Sequence, residues 1–159
     1  MLENKIFLEA GKGILTKRPG QITTVLGSCL AITMFNKKTG TAGISHSMFP
    51  SCEAVVSKEI TSADLFNYVD CSFNRMINFF NQQNVGLDDI EIKVFGGGEV
   101  LEANYENFDS IGTQNIKMFK KIINDNNVKI KAADIGGKSG RKIVFNTSNG
   151  SVFVKKLDN

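Results

Sequence analysis

The stretch of sequence that decides the fold is residues 22–49, ITTVLGSCLAITMFNKKTGTAGISHSMF. Within it, two mostly apolar runs, Ser28–Phe35 and Thr41–Phe49, flank the polar segment 36–40, Asn-Lys-Lys-Thr-Gly. Apolar runs on either side of a polar turn that ends in glycine predict two strands that pair as a hairpin. The first run is almost continuously apolar, which is typical of a strand that is covered on both faces.

Two helices are predicted beyond this hairpin. Apolar residues recur at helical spacing from Phe66 to Phe80, after a capping-box-like start formed by Thr61 and Asp64. The polar residues from Asn84 onward end this helix. Residues 112–126 show the same apolar spacing and predict a second helix.

Short strands fill the rest of the chain. Asn149-Gly150 is a strong turn signal and predicts that the last two strands form a hairpin. We therefore expect an α+β fold in one domain, residues 1–159, with two helices packed on largely antiparallel sheets. The predicted strands besides the central hairpin are Lys5–Leu8, Gly13–Thr16, Ile22–Leu26, Ile90–Val94, Val128–Ile135, Arg141–Thr147 and Ser151–Leu157.

The composition excludes several classes of protein. A net charge of +3, from 19 basic and 16 acidic residues, does not favour nucleic-acid binding. The chain has no apolar stretch long enough for a membrane span and no secretory leader, so we expect a cytoplasmic protein. Its three cysteines lack a Cys-x-x-Cys pair and are expected to be thiols rather than bridges. The single histidine rules out a typical zinc-ligand set, and we expect no metal and no cofactor.

Cys29 and His46 are the candidate reactive pair. The predicted hairpin brings their strands side by side, and an imidazole next to a thiol can take its proton and hold the thiolate. Gly27 and Ser28 leave the backbone open before the sulfur, so that N–H groups could support an oxyanion. His46 shares strand parity with Ile44 and should face an apolar layer. Free cysteine is also a common core residue, so spacing alone leaves a purely structural Cys29 open.

The other candidates have simpler interpretations. Cys52 and Cys71 have no base nearby in sequence and are predicted to be structural. The segments Gly96–Gly98 and Gly136–Arg141 lack the context of a nucleotide-binding loop. They are predicted to be tight turns where backbone passes close to backbone.

The chain resembles the CheD family of chemoreceptor glutamine deamidases. The Leu-Gly-Ser-Cys element, with a His-x-Met-x-Pro element 17 residues after its cysteine, is fairly specific for this family. The matching segments occur in family order and span nearly the whole chain: Thr23–Ala31, Gly43–Pro50, Lys93–Gly98, Ile111–Asn115, Asp134–Gly137 and Gly140–Arg141.

The resemblance implies a function and a set of roles. In the family, the cysteine that matches Cys29 is the nucleophile and the histidine that matches His46 is the base. A threonine six residues before the cysteine, here Thr23, completes the site, and the adjacent Thr24 leaves an ambiguity of one residue. The family converts receptor glutamine to glutamate without a cofactor, on a layered α/β sandwich. Many members also bind the chemotaxis phosphatase CheC.

The resemblance has departures and leaves alternatives. Ser45 and Ser47 flank the histidine, and Phe49 stands where leucine is frequent, which puts substrate preference in question. The chain could instead be a CheC-binding module with weak or dispensable deamidase activity. It could also hydrolyse another amide or transfer the acyl group to an amine. The receptor, its glutamines and the oligomeric state are not predictable from these residues.

Overall fold

The structure, a computed structural model, describes residues 4–55, 64–100 and 108–158. Within these ranges the chain forms nine strands and two α-helices, joined by short 3₁₀ turns. In chain order the elements are β1 Asn4–Phe7, β2 Gly13–Thr16, β3 Gly20–Leu26, β4 Leu30–Asn36, β5 Thr41–Ser47, α1 Val69–Gln82, β6 Glu91–Gly96, α2 Ile111–Asp125, β7 Ala132–Ile135, β8 Arg141–Asn146 and β9 Val152–Lys156.

The strands form two sheets that pack face to face. One sheet has the order β2-β5-β4-β6-β7 and the other has the order β1-β3-β8-β9. The pairs β1–β3 and β6–β7 are parallel, and the other described pairs are antiparallel. The predicted α+β sandwich with largely antiparallel sheets is therefore confirmed.

The fold has three layers, which are the two helices, the five-stranded sheet and the four-stranded sheet, and a hydrophobic core lies between each layer and the next. The helix core lies between α1, α2 and the five-stranded sheet, and the inter-sheet core lies between the two sheets. Strand β4 contributes to both, because Leu30, Ile32 and Met34 enter the helix core while Ala31 and Phe35 enter the inter-sheet core. The nearly continuous apolar run of this strand thus has the predicted cause, which is burial on both faces.

The predicted central hairpin forms, with Leu30 opposite Ser47 and Ala31 opposite His46. Its strands are shorter than predicted, so Cys29 lies just before β4 and Phe49 lies beyond the end of β5. The second predicted hairpin, β8–β9, is also present, and Gly150 in its turn has a φ of 78°.

Helix α1 begins later than its sequence pattern predicted. Tyr68 is extended, with φ −120° and ψ 136°, and forms a bridge with Phe49, so the helix starts at Val69. A 3₁₀ turn, Asp64–Asn67, precedes it, and the proposed cap residue Thr61 lies outside the described residues. The predicted strand Val128–Ile135 shortens to Ala132–Ile135, because Val128 and Ile130 pack against the helix core instead.

The expectation that all three cysteines are thiols is wrong for two of them. Cys52 and Cys71 form a disulfide with a Cα–Cα distance of 6.3 Å, and Cys29 is free. Backbone bonds from Val69 N–H to Phe49 O and from Asp70 N–H to Pro50 O hold the first turn of α1 against the segment after β5. This contact between distant segments brings the two cysteines within bridging range, which their sequence spacing could not indicate.

Candidate functional site

Cys29 lies in a short, tightly held loop between β3 and β4. Three consecutive carbonyls of this loop accept hydrogen bonds: Gly27 O from Gly98 N–H at 3.0 Å, Cys29 O from Gly97 N–H at 2.8 Å, and Ser28 O from Asn115 Nδ2 at 3.0 Å. The Cys29 side chain is half-buried and packs against the inter-sheet core. The loop therefore presents the sulfur from a rigid backbone.

The predicted close approach of backbone to backbone occurs beside this loop. Gly96 has a φ of 108°, and a Cβ at this position would collide with the Cys29 carbonyl. Only glycine lets the Gly97 N–H reach Cys29 O here. The prediction of tight turns is confirmed for Gly136 and Gly137 as well, which also have positive φ values.

His46 faces the same layer as Cys29. Its side chain is buried, at 4% exposure, on the side of β5 that places Ala42 and Ile44 in the inter-sheet core. The β4–β5 register ends with Leu30 opposite Ser47; if it is extended by one position, Cys29 comes opposite Met48 and becomes the diagonal neighbour of His46 on one face. Diagonal pairs in antiparallel sheets are roughly 7–8 Å apart, which leaves a substrate group room to lie against both side chains.

Thr24, rather than Thr23, reaches His46. The Thr24 hydroxyl lies 2.7 Å from His46 Nδ1 and donates to the Leu8 carbonyl at 2.7 Å. Because the single hydroxyl proton goes to Leu8 O, the Thr24 oxygen must accept from an Nδ1–H. His46 therefore carries its proton on Nδ1, and Nε2 keeps a free lone pair.

The alternation of β3 turns Thr23, the residue expected in the third position, away from His46. Ile22, Thr24 and Leu26 are buried, whereas Thr23 and Val25 point to the other side of the four-stranded sheet. The same parity argument that placed His46 on an apolar face would have selected Thr24, since Ile22 and Leu26 flank it at spacing of two.

Burial keeps the reactive pair uncharged. It lowers the pKa of His46 to about 4, and it raises the pKa of the Cys29 thiol. A hydrogen bond from the backbone N–H of Cys29 itself lowers the pKa of that thiol by less. At neutral pH the site holds a neutral thiol and a neutral imidazole.

Two buried polar residues near the loop belong to segments that carry the family resemblance, but the sequence interpretation gave neither a role in the site. Asn115, in the first half of α2, donates to Ser28 O and to Met48 O. Arg141 lies opposite Leu26, is 1% exposed, and donates from Nη2 to Gly136 O at 2.8 Å. A sequence signal existed for Asn115, because Phe119 and Ile122 share its helical face and bury it.

One cluster in the described part of the chain has the residue types of a metal site. Ligand atoms of Cys52, Asp70 and Cys71 lie within 4.8 Å of one another. The two sulfurs are bonded to each other, and the Asp70 carboxylate accepts from Ser51 Oγ and from the N–H groups of Cys52 and Cys71. These bonds occupy the ligand atoms and give the cluster a structural role. Separately, none of the described helices is long and apolar enough to cross a membrane.

A thiol and a base with a fixed tautomer, facing one buried layer, define a candidate site for cysteine-dependent acyl transfer. The family model for CheD, described as CheD chemotactic sensory transduction, matches residues 48–156. That match begins beyond both Cys29 and His46.

Individual relatives align over nearly the whole chain. It is 32% identical to "Probable chemoreceptor glutamine deamidase CheD 2" of Geobacter sulfurreducens, over 96% of this chain and 90% of the relative. It is 30% identical to "Probable chemoreceptor glutamine deamidase CheD" of Oleidesulfovibrio alaskensis, over 97% of this chain and 73% of the relative. A protein of the same name from Maridesulfovibrio salexigens is 29% identical, over 97% of this chain and 92% of the relative. The chain belongs to the CheD family.

Proposed function

We propose that this protein is a protein-glutamine deamidase that converts glutamine side chains of methyl-accepting chemoreceptors to glutamate and releases ammonia. The observation that carries the chemistry is the hydrogen-bond chain from His46 Nδ1 through Thr24 to the Leu8 carbonyl. It leaves Nε2 of His46 as a free base on the buried face that Cys29 shares. The substrate class is taken from the names of the relatives, which are chemoreceptor glutamine deamidases.

The first half of the proposed reaction forms a thioester. His46 Nε2 takes the proton of Cys29, and the sulfur attacks the side-chain carbonyl carbon of the substrate glutamine. Because the resting pair is neutral, the ion pair forms only as the substrate is attacked. The carbonyl oxygen then becomes an oxyanion near the N–H groups of Ser28 and Cys29. Among the described residues, neither N–H group donates to a residue other than Cys29 itself, whose thiol contacts its own N–H.

The second half releases the products. His46 returns its proton to the departing nitrogen, the carbon–nitrogen bond breaks, and ammonia leaves. A water molecule, deprotonated by the same Nε2, attacks the thioester and gives glutamate and the free thiol. Cys29 is half-buried and His46 is buried, so the substrate approaches from the side of the sulfur. In this proposal the steps are carried out by Cys29, His46, the N–H groups of Ser28 and Cys29, and one water molecule.

The experiment that tests this proposal is mass spectrometry of a receptor cytoplasmic domain from the same organism after incubation with the protein. We expect a gain of about one dalton at specific glutamines with the wild type, and at least a 10⁴-fold slower gain with Cys29→Ala, since the nucleophile is absent. The matched control is the double variant Cys52→Ala/Cys71→Ala, which removes the other two sulfurs and should keep the activity.

The same experiment also tests the assignment of the nucleophile and two alternative functions. Equal deamidation by wild type and Cys29→Ala would contradict the assignment of the nucleophile. No deamidation by either, together with tight binding to CheC, would favour the alternative of a CheC-binding module. Adding a primary amine to the reaction tests for transglutamination, which would attach the amine at the same glutamines.

A further inference from the structure

Asn115 connects the two segments that carry the nucleophile and the base. Its Nδ2 donates to Ser28 O at 3.0 Å and to Met48 O at 3.2 Å, and its side chain is completely buried. Carbonyl oxygens can only accept, so the nitrogen of the amide must lie between them and both of its protons are used. The loop before Cys29 and the end of β5 after His46 are thus held by one amide group.

The bond to Ser28 O fixes the direction of the Cys29 N–H. In a trans peptide the C=O and the following N–H point in opposite directions. The Ser28 carbonyl faces α2, on the side of the helix core, so the Cys29 N–H faces the inter-sheet core where its own side chain packs. The contact of this N–H with the thiol, which lowers the pKa of Cys29, agrees with that direction.

Asn115 controls the middle one of three held peptide groups. The groups before and after it are held by backbone donors, from Gly98 N–H to Gly27 O and from Gly97 N–H to Cys29 O. Only the Ser28–Cys29 group depends on a side chain. A substitution at Asn115 can therefore release this one peptide group while its two neighbours stay in place.

The side-chain amide of Asn115 does not use all of its hydrogen-bonding groups. Its Oδ1 is buried and has no hydrogen-bond partner among the described residues. Leaving a buried acceptor unpaired is costly, and an apolar side chain on this face of α2 would avoid that cost. A cost of this kind is typical of residues that serve a function rather than the stability of the fold.

We propose that Asn115 is a positioning residue that aims the Cys29 N–H at the oxyanion of the acyl-transfer reaction. The same side chain holds the Cys29 loop against the end of the strand that carries His46. This inference rests on the proposed acyl transfer to Cys29. It does not depend on which amide is the physiological substrate.

The test compares two reactions of the same sulfur. Acylation of Cys29 by p-nitrophenyl acetate forms a sulfur–carbon bond, passes through an oxyanion and expels p-nitrophenolate. Alkylation by iodoacetamide displaces iodide at a saturated carbon and forms no oxyanion. Both reactions need the thiolate, so both report on His46 and on access to the sulfur, but only acylation reports on the N–H donor.

For Asn115→Ala we expect acylation to slow by about 10- to 100-fold, with alkylation changed by no more than about threefold. Asn115→Ser keeps one donor and should be intermediate in acylation. The matched control is Asn36→Ala, because Asn36 is also buried and also donates through Nδ2 to a carbonyl, that of Asp89, away from Cys29. It should leave both rates unchanged. All rates are measured where circular dichroism shows folded protein.

Each outcome decides the inference. An equal loss of acylation and alkylation, or no loss of acylation in either variant, would overturn it. If the wild type is acylated at Cys29 but deamidates no receptor glutamine, the proposed substrate is wrong while the role of Asn115 stands. If p-nitrophenyl acetate does not acylate Cys29 in the wild type, both the proposed nucleophile and the role of Asn115 are overturned.

Discussion

The two faces of the five-stranded sheet bury very different side chains. On the helix core side, Met76, Phe80 and Ile92 are completely buried among other apolar residues. The inter-sheet core is also apolar, but it surrounds His46, Thr24 and the half-buried Cys29. The buried titratable side chains of the described residues are His46, on β5, and Arg141, which shares the buried side of β8 in the four-stranded sheet with Ile143 and Phe145.

This difference separates the sources of stability and of reactivity within one sheet. The helix core gains free energy from apolar burial. The inter-sheet core also desolvates an imidazole and a thiol, which disfavours the charged form of each, so the pKa of His46 is lowered and that of Cys29 is raised. Strand β4 belongs to both cores, so the parity of a side chain on this strand decides which contribution it makes.

Damage to the helix core alone should lower the stability of the protein and leave the reactivity of Cys29 intact. Phe80→Ala removes a fully buried ring and should lower the free energy of unfolding by about 4 kcal/mol, as measured by urea denaturation. The rate of Cys29 acylation should be unchanged at temperatures where the variant is folded. Phe79→Ala is the matched control, since that ring is only partly buried and its loss should cost less. A large fall in the acylation rate of folded Phe80→Ala would show that the two cores are not separate in function.

Acidification should destabilise the inter-sheet core through its histidine. The unfolded chain protonates His46 near pH 6.5, whereas the folded protein resists this until the pH reaches about 4. The contribution is therefore complete above pH 6.5 and is lost as the pH falls to about 4, for a total of about 3 kcal/mol. Urea denaturation across this range measures it. His46→Gln removes the chain's single histidine and should flatten that part of the pH dependence; an unchanged slope would contradict the assigned shift.

Reduction of the disulfide tests a contact at the margin of the helix core. Breaking Cys52–Cys71 should lower the free energy of unfolding by about 2 to 3 kcal/mol. The unfolded chain regains the conformational entropy that the bridge removes by closing a loop. Thermal melts with and without a phosphine reductant measure the loss, and Cys52→Ser/Cys71→Ser should not respond to the reductant. Three titratable thiols in unreduced protein would show that the bridge is absent. Cys29 acylation should be the same in both redox states.

The smallest expected effect separates two adjacent threonines. Thr24→Val keeps the shape but loses the hydroxyl, so His46 loses its partner on Nδ1 and Cys29 acylation should slow by about tenfold. Its cost in unfolding free energy should be about 1 kcal/mol. Thr23→Val, on the other side of the same strand, is the control and should leave the rate unchanged. The reverse result would restore Thr23 to the site.

The sequence predicted the features that depend on local pattern. The central strand that ends near Phe35, the turn after it and the Asn149-Gly150 hairpin all follow from alternation and turn chemistry and are present, although the strand begins after Cys29. The inward direction of His46 also followed from parity. The Cys52–Cys71 bridge could not be predicted, because it depends on how α1 lies against the segment after β5. The role of Asn115 depends on two carbonyls that are distant in sequence, which no local pattern contains.

The Leu8 carbonyl at the end of the hydrogen-bond chain has a consequence for the fate of the proton in the proposed reaction. A carbonyl oxygen carries no proton and is too weak a base to accept one. The hydrogen bonds through Thr24 can therefore polarise the imidazole but cannot remove a proton from the imidazolium. Once His46 is an imidazolium, the only proton it can release toward the substrate is the one on Nε2. The fold thereby restricts proton transfer to the Nε2 side of His46, so the proton taken from the Cys29 sulfur is passed to the departing nitrogen of the substrate.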